Sequence, residues 1–152
     1  MRIRAGIVLI QENRVALIER HRAGLHYYVF PGGGVDEGES PEQAATREAM
    51  EELGIEITIK QKIAEIQFGK NSKQIYFLAD QIGGKFGTGA GEEYTMADPE
   101  DPEEGIYIPV WMAVDQLLLH KNIHPADIAR LVIKSRQEGW APDALFSFEE
   151  PK

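Results

Sequence analysis

The 152-residue chain contains no cysteine, no long apolar run and, over residues 91–120, no Lys or Arg. Without cysteine, a disulfide framework and a thiolate metal site are both excluded. The apolar run within the first ten residues, MRIRAGIVLI, is too short for a signal peptide or a membrane span. We therefore expect a protein of a reducing, cytoplasmic compartment that has no membrane partner.

The net charge of −9 is unevenly distributed. Residues 1–30 contain five Arg and two Glu, whereas residues 31–60 contain eight acidic and two basic residues. Long nucleic acid is bound by basic surface, so this chain is expected to repel it. A small anionic substrate can still bind where metal ions neutralise an acidic cleft. The charge balance therefore favours a small phosphorylated metabolite as the partner.

Length and composition predict a single domain over residues 1–152 with a sizeable core. Residues 2–10 and 14–20 predict a strand pair, followed by a basic loop over residues 20–24. Further strands are predicted over residues 27–30, 55–59, 64–68, 74–81 and 106–111. Two helices follow, over residues 114–120, with Leu117 and Leu118 inward, and over residues 125–138. Residues 140–152 are either a loose tail or a docking segment.

Residues 83–105 interrupt this pattern with six Gly, two Pro and seven acidic residues. The segment is too long for a simple connection and is either a solvated loop or a functional lid.

The stretch GGVDEGESPEQAATREAMEELGI, residues 33–55, has the signals of a short helix. Ser40 is a good N-cap, Pro41 suits the first helical position, and Gln43 can complete a capping box. Gly54 can adopt the left-handed turn that ends a helix. The sequence predicts a helix over residues 41–53.

Three carboxylates lie on one face of this predicted helix. Glu48, Glu51 and Glu52 are spaced i, i+3, i+4, which places them on neighbouring turns. Carboxylates this close repel one another, and a divalent cation removes the repulsion. Because every candidate ligand is an oxygen, Mg²⁺ or Mn²⁺ is favoured over zinc. Arg47, four residues before Glu51, can reach that carboxylate.

The glycines before the helix offer a close backbone approach and carbonyl oxygens to a metal. A Walker phosphate loop is excluded, because Glu39 stands where that loop requires Lys. The later glycines fail the dinucleotide-binding pattern, since Glu92 stands where its last Gly belongs. A phosphate here would therefore have to be held through a metal.

These residues together resemble the Nudix box. Gly33, five residues, Glu39, seven residues and then REAMEELGI over residues 47–55 match its defining positions, and Pro31-Gly32 also fits. Asp36 departs mildly, since relatives often have Glu there. The predicted strands and helices follow the family's order, so the resemblance covers most of the chain. It implies an α/β fold of the α/β/α sandwich type. A mixed β-sheet would lie between the helix over residues 41–53, which belongs to the box, and the C-terminal helix.

The resemblance also implies an enzyme that uses Mg²⁺ or Mn²⁺ to hydrolyse the pyrophosphate bond of a nucleoside diphosphate linked to another group. Nucleoside triphosphates, ADP-ribose, dinucleoside polyphosphates and nucleotide sugars are all open, and a homodimer is possible. The alternative is a non-catalytic nucleotide-sensing or scaffold domain. Prenyl diphosphate isomerisation is disfavoured because no Cys is available as a general acid. RNA 5′-end processing stays open, although the acidic surface disfavours it.

The resemblance assigns roles to individual residues. Glu48 and Glu52 are expected to bind the metal, together with a carbonyl of Gly32 or Gly33. Glu51 is either a further ligand or the base that takes a proton from water, and sequence does not separate these roles.

Residues around these ligands also have expected roles. Arg47 is expected to hold Glu51, and Glu39 to support the loop or an outer metal position. The basic loop suggests that Arg20 and Arg22 bind substrate phosphate. In relatives a Glu from a loop in the region of residues 83–105 often approaches the metals. The candidates here are Glu92 and Glu93. The four histidines show no metal-binding spacing and are expected to be surface or capping residues.

Overall fold

The computed structural model describes residues 1–88, 105–141 and 145–150. Within these ranges the strands are β1 Arg2–Gln11, β2 Arg14–Arg22, β3 Leu25–Val29, β4 Gly32–Gly34, β5 Ile55–Phe68, β6 Ser72–Gly84, β7 Ile106–Ala113, β8 Ile123–His124 and β9 Phe146–Glu150. The helices are α1 Pro41–Leu53, α2 Ala126–Glu138 and a 3₁₀ helix, Val114–Leu119. No helix in the described ranges is long and apolar enough to cross a membrane.

The mixed sheet divides into two halves that meet at the β1–β2 hairpin. β1 and β2 pair at Ile10↔Val15 and Gln11↔Arg14, next to the turn. Beyond that point β1 pairs with β4 and β6, whereas β2 pairs with β3 and β7. The chain passes from β3 in one half to β4 in the other, so the glycine strand lies where the halves separate.

A helix covers each face of the sheet. The buried apolar residues of α1 (Ala44, Ala45, Ala49 and Leu53) share one hydrophobic cluster with one face of β1, β2 and β6. The buried apolar residues of α2 (Ile128, Ala129, Leu131 and Val132) belong to a second cluster with the other face. Small alanines let α1 lie close against the strands. This arrangement confirms the predicted α/β fold with helices on both faces of a mixed sheet.

Helix α1 begins and ends where the sequence predicts. The Ser40 hydroxyl accepts the Gln43 N–H at 3.1 Å, and the Gln43 side chain accepts the Ser40 N–H at 2.8 Å. Gly54 has φ = 78° and its N–H donates to the Met50 carbonyl. These caps satisfy backbone groups that helix ends leave unpaired.

Two predicted boundaries are wrong because long strands override local signals. Residues 55–68 form one strand, β5, whose register against β6 shifts three times, rather than two separate strands. β6 continues to Gly84, so the predicted loop over residues 83–105 loses its first two residues to the sheet. Gly84 fits there because its φ is 81° and a Cβ would lie 2.4 Å from the Gly54 carbonyl oxygen. Residues 89–104 lie outside the described part of the chain.

The predicted basic loop is also wrong. Arg20 and Arg22 lie within β2, because this strand is paired on both sides, with β3 as far as Arg22↔Leu25 and with β7 as far as His21↔Ile106. Strand alternation places Arg20 and Arg22 on one face of the sheet and His21 on the other.

In the C-terminal part the structure corrects one prediction and decides between the two alternatives for the last residues. Leu117 is 3% exposed but Leu118 is 72% exposed, because adjacent residues of a 3₁₀ helix point about 120° apart. Residues 146–150 are not a loose tail. They form β9, parallel to β5, and Phe146 and Phe148 pack against the cluster that contains α2. Residues 142–144 and 151–152 lie outside the described ranges.

Removing the capping hydroxyl tests whether α1 depends on its N-cap. We expect Ser40→Ala to lower the free energy of unfolding by about 1 kcal/mol, because the Gln43 N–H loses its acceptor. Urea denaturation measures the change. The matched control is Thr46→Ala, an exposed mid-helix hydroxyl, which is expected to change stability by less than about 0.5 kcal/mol. Equal effects of the two substitutions would contradict the capping assignment.

Candidate active site

One guanidinium joins the loop, the glycine strand and helix α1. Arg47 Nε and Nη2 donate to the two carboxylate oxygens of Glu39 at 2.8 and 2.9 Å. Its Nη1 donates to Glu48 Oε1 at 2.8 Å and Glu51 Oε2 at 3.3 Å. Nη2 also donates to the Gly34 carbonyl at 3.0 Å. The planar, always charged guanidinium suits this multiple role.

The Arg47–Glu51 contact exists but is the longest of these hydrogen bonds. Helical side chains point back toward the N-terminus, and from Arg47 that direction leads to the loop that carries Glu39. Glu51 lies one turn in the opposite direction. Glu39 also accepts the Asp36 N–H at 3.0 Å, so it supports the loop as well as Arg47.

The Arg47–Glu39 pair changes the proton affinity of both groups. Hydrogen bonds from Arg47 and from the Asp36 N–H lower the pKa of Glu39 to about 2. In return Glu39, and then Glu48, raise the pKa of Arg47 above its usual value. Both groups are therefore charged at neutral pH.

Two glutamates of α1 lie directly against the glycine strand β4. A Cβ at Gly33 would lie 2.3 Å from Glu48 Oε1 and 2.4 Å from its Cδ, so only glycine leaves space for this carboxylate. The Gly32 N–H donates to Glu52 Oε1 at 2.7 Å, and Glu52 is 8% exposed. A Cβ at Gly32 would lie 2.3 Å from the Ala5 carbonyl oxygen. The neighbours of the strand thus favour glycine at Gly32 and Gly33, whereas Gly34 has open space around it.

The predicted metal ligands therefore fall into two groups. Glu48 and Glu52, one helical turn apart, both contact β4, whereas the Glu51 side chain is 44% exposed at the margin. Their oxygen donors and the close approach at Gly33 fit a hard cation such as Mg²⁺ or Mn²⁺. The carbonyls of Gly32 and Gly33 stay predicted ligands. Glu92 and Glu93 lie outside the described ranges.

A cavity of about 440 Å³ opens where the two halves of the sheet separate. Its polar lining comes from both halves: Arg4, Arg20, Tyr27, Gln74, Tyr76 and His124. Arg4 pairs with Gly34 in the β1–β4 register, so one wall of the cavity adjoins the glycine strand. None of the glutamates of α1 is among its described lining residues, and strand alternation places the Arg4 side chain on the face of β1 opposite Ala5, which packs with α1.

Arg20 is the distinctive group of this cavity. It pairs with Tyr27 on β3 and with Tyr107 on β7, and its guanidinium lies 3.7 Å from the Tyr107 ring centroid and 5.6 Å from that of Tyr27. The Nε and Nη2 atoms are buried and have no hydrogen-bond partner in the described structure. Buried donors of this kind are costly unless a ligand satisfies them. Arg22, by contrast, is exposed.

Sequence reasoning missed Arg4, Gln74 and the contact between Arg47 and Gly34. Their positions follow from the order and register of the strands, for which the local pattern holds no signal. The β7 partner of Arg20, Tyr107, was missed for the same reason.

Comparison with known proteins is consistent with this geometry. A family model described as the NUDIX domain matches residues 1–132. An RNA pyrophosphohydrolase of Tolumonas auensis is 52% identical over 50 residues, 33% of this chain and 28% of that protein. An 8-oxo-dGTP diphosphatase of Proteus vulgaris is 39% identical over 62 residues, 38% of this chain and 54% of that protein. The chain thus aligns with only about a third to a half of these relatives' lengths.

Solved structures share the fold over nearly the whole chain. A NUDIX hydrolase from Nitrosomonas europaea superposes with a TM-score of 0.70 at 18% identity, covering 98% of this chain and 79% of that one. At this identity the likeness concerns the fold.

The lowered pKa of Glu39 predicts an acid dependence of stability. The pKa of Glu39 is lower in the folded protein than its usual value of about 4.5. The Arg47–Glu39 pair therefore stabilises the folded state fully above pH 4.5, and this stabilisation is lost as the pH falls toward 2. We expect Glu39→Gln to be less stable than wild type at pH 6, and the difference to shrink between pH 5 and about 2. Denaturant unfolding in chelator measures it. Glu37→Gln, on the same loop and exposed, is the control. A stability difference between wild type and Glu39→Gln that does not change with pH would refute the link between Glu39 protonation and stability.

Proposed function

The chain belongs to the Nudix family, and we propose that it is a Mg²⁺- or Mn²⁺-dependent pyrophosphohydrolase acting on a nucleoside diphosphate linked to another group. The observation that carries the proposal is the contact of Glu48 and Glu52 with the glycine strand, with Arg47 holding Glu48. A metal-binding role explains why the Glu48 carboxylate occupies the space beside Gly33, and a scaffold role does not require this arrangement. The alternative, a domain that binds nucleotides without turnover, is an outcome of the experiments below.

Each residue has a part in the proposed reaction. Glu48 and Glu52 would hold the cation, which when bound offsets the charge of the diphosphate and lowers the pKa of water. Arg47 fixes Glu48 and Glu51 through Nη1. Glu51, at the exposed margin, would either accept the proton of the attacking water or bind the cation itself. Water adds to one phosphorus and the bridging P–O bond breaks, which releases a nucleoside monophosphate and a second phosphate product.

The cavity supports a small substrate rather than a polymer. Its volume of about 440 Å³ is in the range of small-molecule sites. Arg4 and Arg20 bring positive charge to a protein whose net charge is −9. One relative is named for RNA and another for 8-oxo-dGTP, and the acidic chain favours the free nucleotide. A cytoplasmic location and a homodimer stay predictions from composition and family.

A substrate panel tests the reaction class. It comprises nucleoside triphosphates with oxidised forms, ADP-ribose, dinucleoside polyphosphates, nucleotide sugars and 5′-triphosphate RNA, each with Mg²⁺, Mn²⁺ or chelator. We expect metal-dependent cleavage of one free-nucleotide group. Preferred cleavage of RNA would overturn the choice of substrate. Tight nucleotide binding without product would instead favour the non-catalytic alternative.

Neutralising one glutamate of α1 tests its role in the reaction. Glu52→Gln retains an oxygen that can accept the Gly32 N–H but removes the charge, so the fold is expected to persist while turnover falls by roughly 100-fold or more. Steady-state kinetics and circular dichroism measure both. Glu42→Gln, exposed in the first turn of the same helix, is the matched control. Turnover close to wild type in the Glu52 variant would remove Glu52 from the metal site.

Replacing Arg20, whose guanidinium is the buried positive charge of the cavity, tests substrate binding. We expect Arg20→Met to raise KM by about tenfold or more with a smaller change in kcat, because a hydrogen bond to a charged group contributes about 1.5–3 kcal/mol. Arg22→Met removes the same charge from an exposed position two residues away and is expected to leave KM nearly unchanged. Identical KM values in the two variants would show that the substrate does not reach Arg20.

A further inference from the structure

A second cluster of ligand-type side chains lies on the opposite face of β2 and β3 from Arg20. Glu19 and His21 are two residues apart on β2, so their side chains share one face. His26 on β3 stands directly opposite His21 in the antiparallel register. Three residues without any metal-binding spacing in the sequence therefore meet through strand pairing.

The three side chains converge on one point. The imidazole rings of His21 and His26 are stacked, with centroids 4.2 Å apart and planes within 7°. Both Nε2 atoms contact the same oxygen, Glu19 Oε2, at 3.1 Å from His21 and 2.7 Å from His26. The three donor atoms lie within 4.8 Å of one another.

This spacing is close to that of a coordination sphere. Ligands that bind one cation at about 2.1 Å lie roughly 3.0–3.5 Å from each other in octahedral or tetrahedral geometry. The distance of 3.1 Å from His21 Nε2 to Glu19 Oε2 lies in this range, and the distance of 2.7 Å from His26 Nε2 is about 0.3 Å shorter than its lower limit. All three side chains are partly exposed, from 22% for Glu19 to 46% for His26, so water can complete the sphere.

The donor set selects a different metal from the one expected at Glu48 and Glu52. Two imidazole nitrogens and one carboxylate oxygen suit borderline first-row cations such as Zn²⁺, whereas Mg²⁺ prefers oxygen ligands alone. Excess Mg²⁺ is therefore expected to compete poorly for this cluster.

We propose that Glu19, His21 and His26 form a second metal site, which takes Zn²⁺ or a similar borderline divalent cation and links β2 to β3. The ligands alternate along these strands with Arg20 and Tyr27, which line the cavity on the other face. A bound cation thus holds together the two strands that carry part of the cavity wall. The site is independent of the proposed hydrolase reaction.

Calorimetric titration of tag-free protein with Zn²⁺, in excess Mg²⁺, tests the proposal. We expect wild type to bind one equivalent that is lost in His21→Ala and in His26→Ala. His124→Ala is the matched control, because it removes a histidine of β8 outside the cluster and is expected to retain that equivalent. Circular dichroism verifies that every variant is folded. Absence of saturable binding in wild type, or an unchanged equivalent in both cluster variants, overturns the site.

Two further measurements locate the metal and test the link between strands. In long-range ¹H–¹⁵N spectra, Zn²⁺ is expected to shift the Nε2 signals of His21 and His26 and not those of His120 and His124. Zn²⁺ is also expected to raise the Tm of wild type but not that of His26→Ala, because a cation that binds only the folded state stabilises it. Shifts confined to His120 or His124 would place the metal elsewhere and refute the proposal.

Discussion

The geometry of the candidate active site depends on a single guanidinium surrounded by acidic groups. The Arg47 side chain contacts the carboxylates of Glu39, Glu48 and Glu51 and the carbonyl of Gly34. Without a cation, carboxylates this close would repel each other and separate. Arg47 offsets part of that repulsion and, because its donors lie in one plane, also fixes direction. The loop, β4 and α1 are thereby held as one unit before any metal or substrate binds.

The glycines of β4 leave the space that the carboxylates of α1 need. Charge alone would not bring Glu48 and Glu52 against a backbone, since any side chain at Gly33 would occupy the space of the Glu48 carboxylate. At Gly32 the backbone of β1 leaves no space for a Cβ, and the Gly32 N–H donates a hydrogen bond to Glu52. The carboxylates of α1 can therefore pack against β4 only because that strand consists of glycines. Their oxygen donors suit a hard cation, whereas a phosphate loop requires Lys at the position of Glu39.

Strand alternation gives the β2–β3 hairpin two different faces. On one face Arg20 stacks on Tyr107, lines the cavity and has two buried donors without a hydrogen-bond partner in the described structure. On the other face His21 and His26 stack on each other and share Glu19. The two faces of one hairpin thus carry the proposed binding group for an anionic substrate and the proposed metal cluster. Both arrangements depend on the same register, His21↔His26 and Arg20↔Tyr27.

Local signals in the sequence determined the elements that depend on near neighbours. The capping box, the left-handed Gly54 and the i, i+4 spacing of Glu48 and Glu52 are fixed within one or two helical turns, and the structure has them as predicted. The apolar face of α2, from Ile128 to Ser135, could be read in the same way. The box pattern itself also lies within one continuous stretch, which is why the family could be recognised from the chain alone.

Tertiary structure decided whatever depends on residues distant in sequence. Arg20 was expected in a loop, but pairing with β3 and β7 extends β2 through it and stacks it on Tyr107, 87 positions later. Residues 146–150 form a strand only because β5 provides an edge for them to pair with. The cluster of Glu19, His21 and His26, and the cavity between the halves of the sheet, exist through register and strand order. Hydrophobic periodicity indicates that a segment is a strand, but it does not specify the partner, and the partner decides which side chains meet.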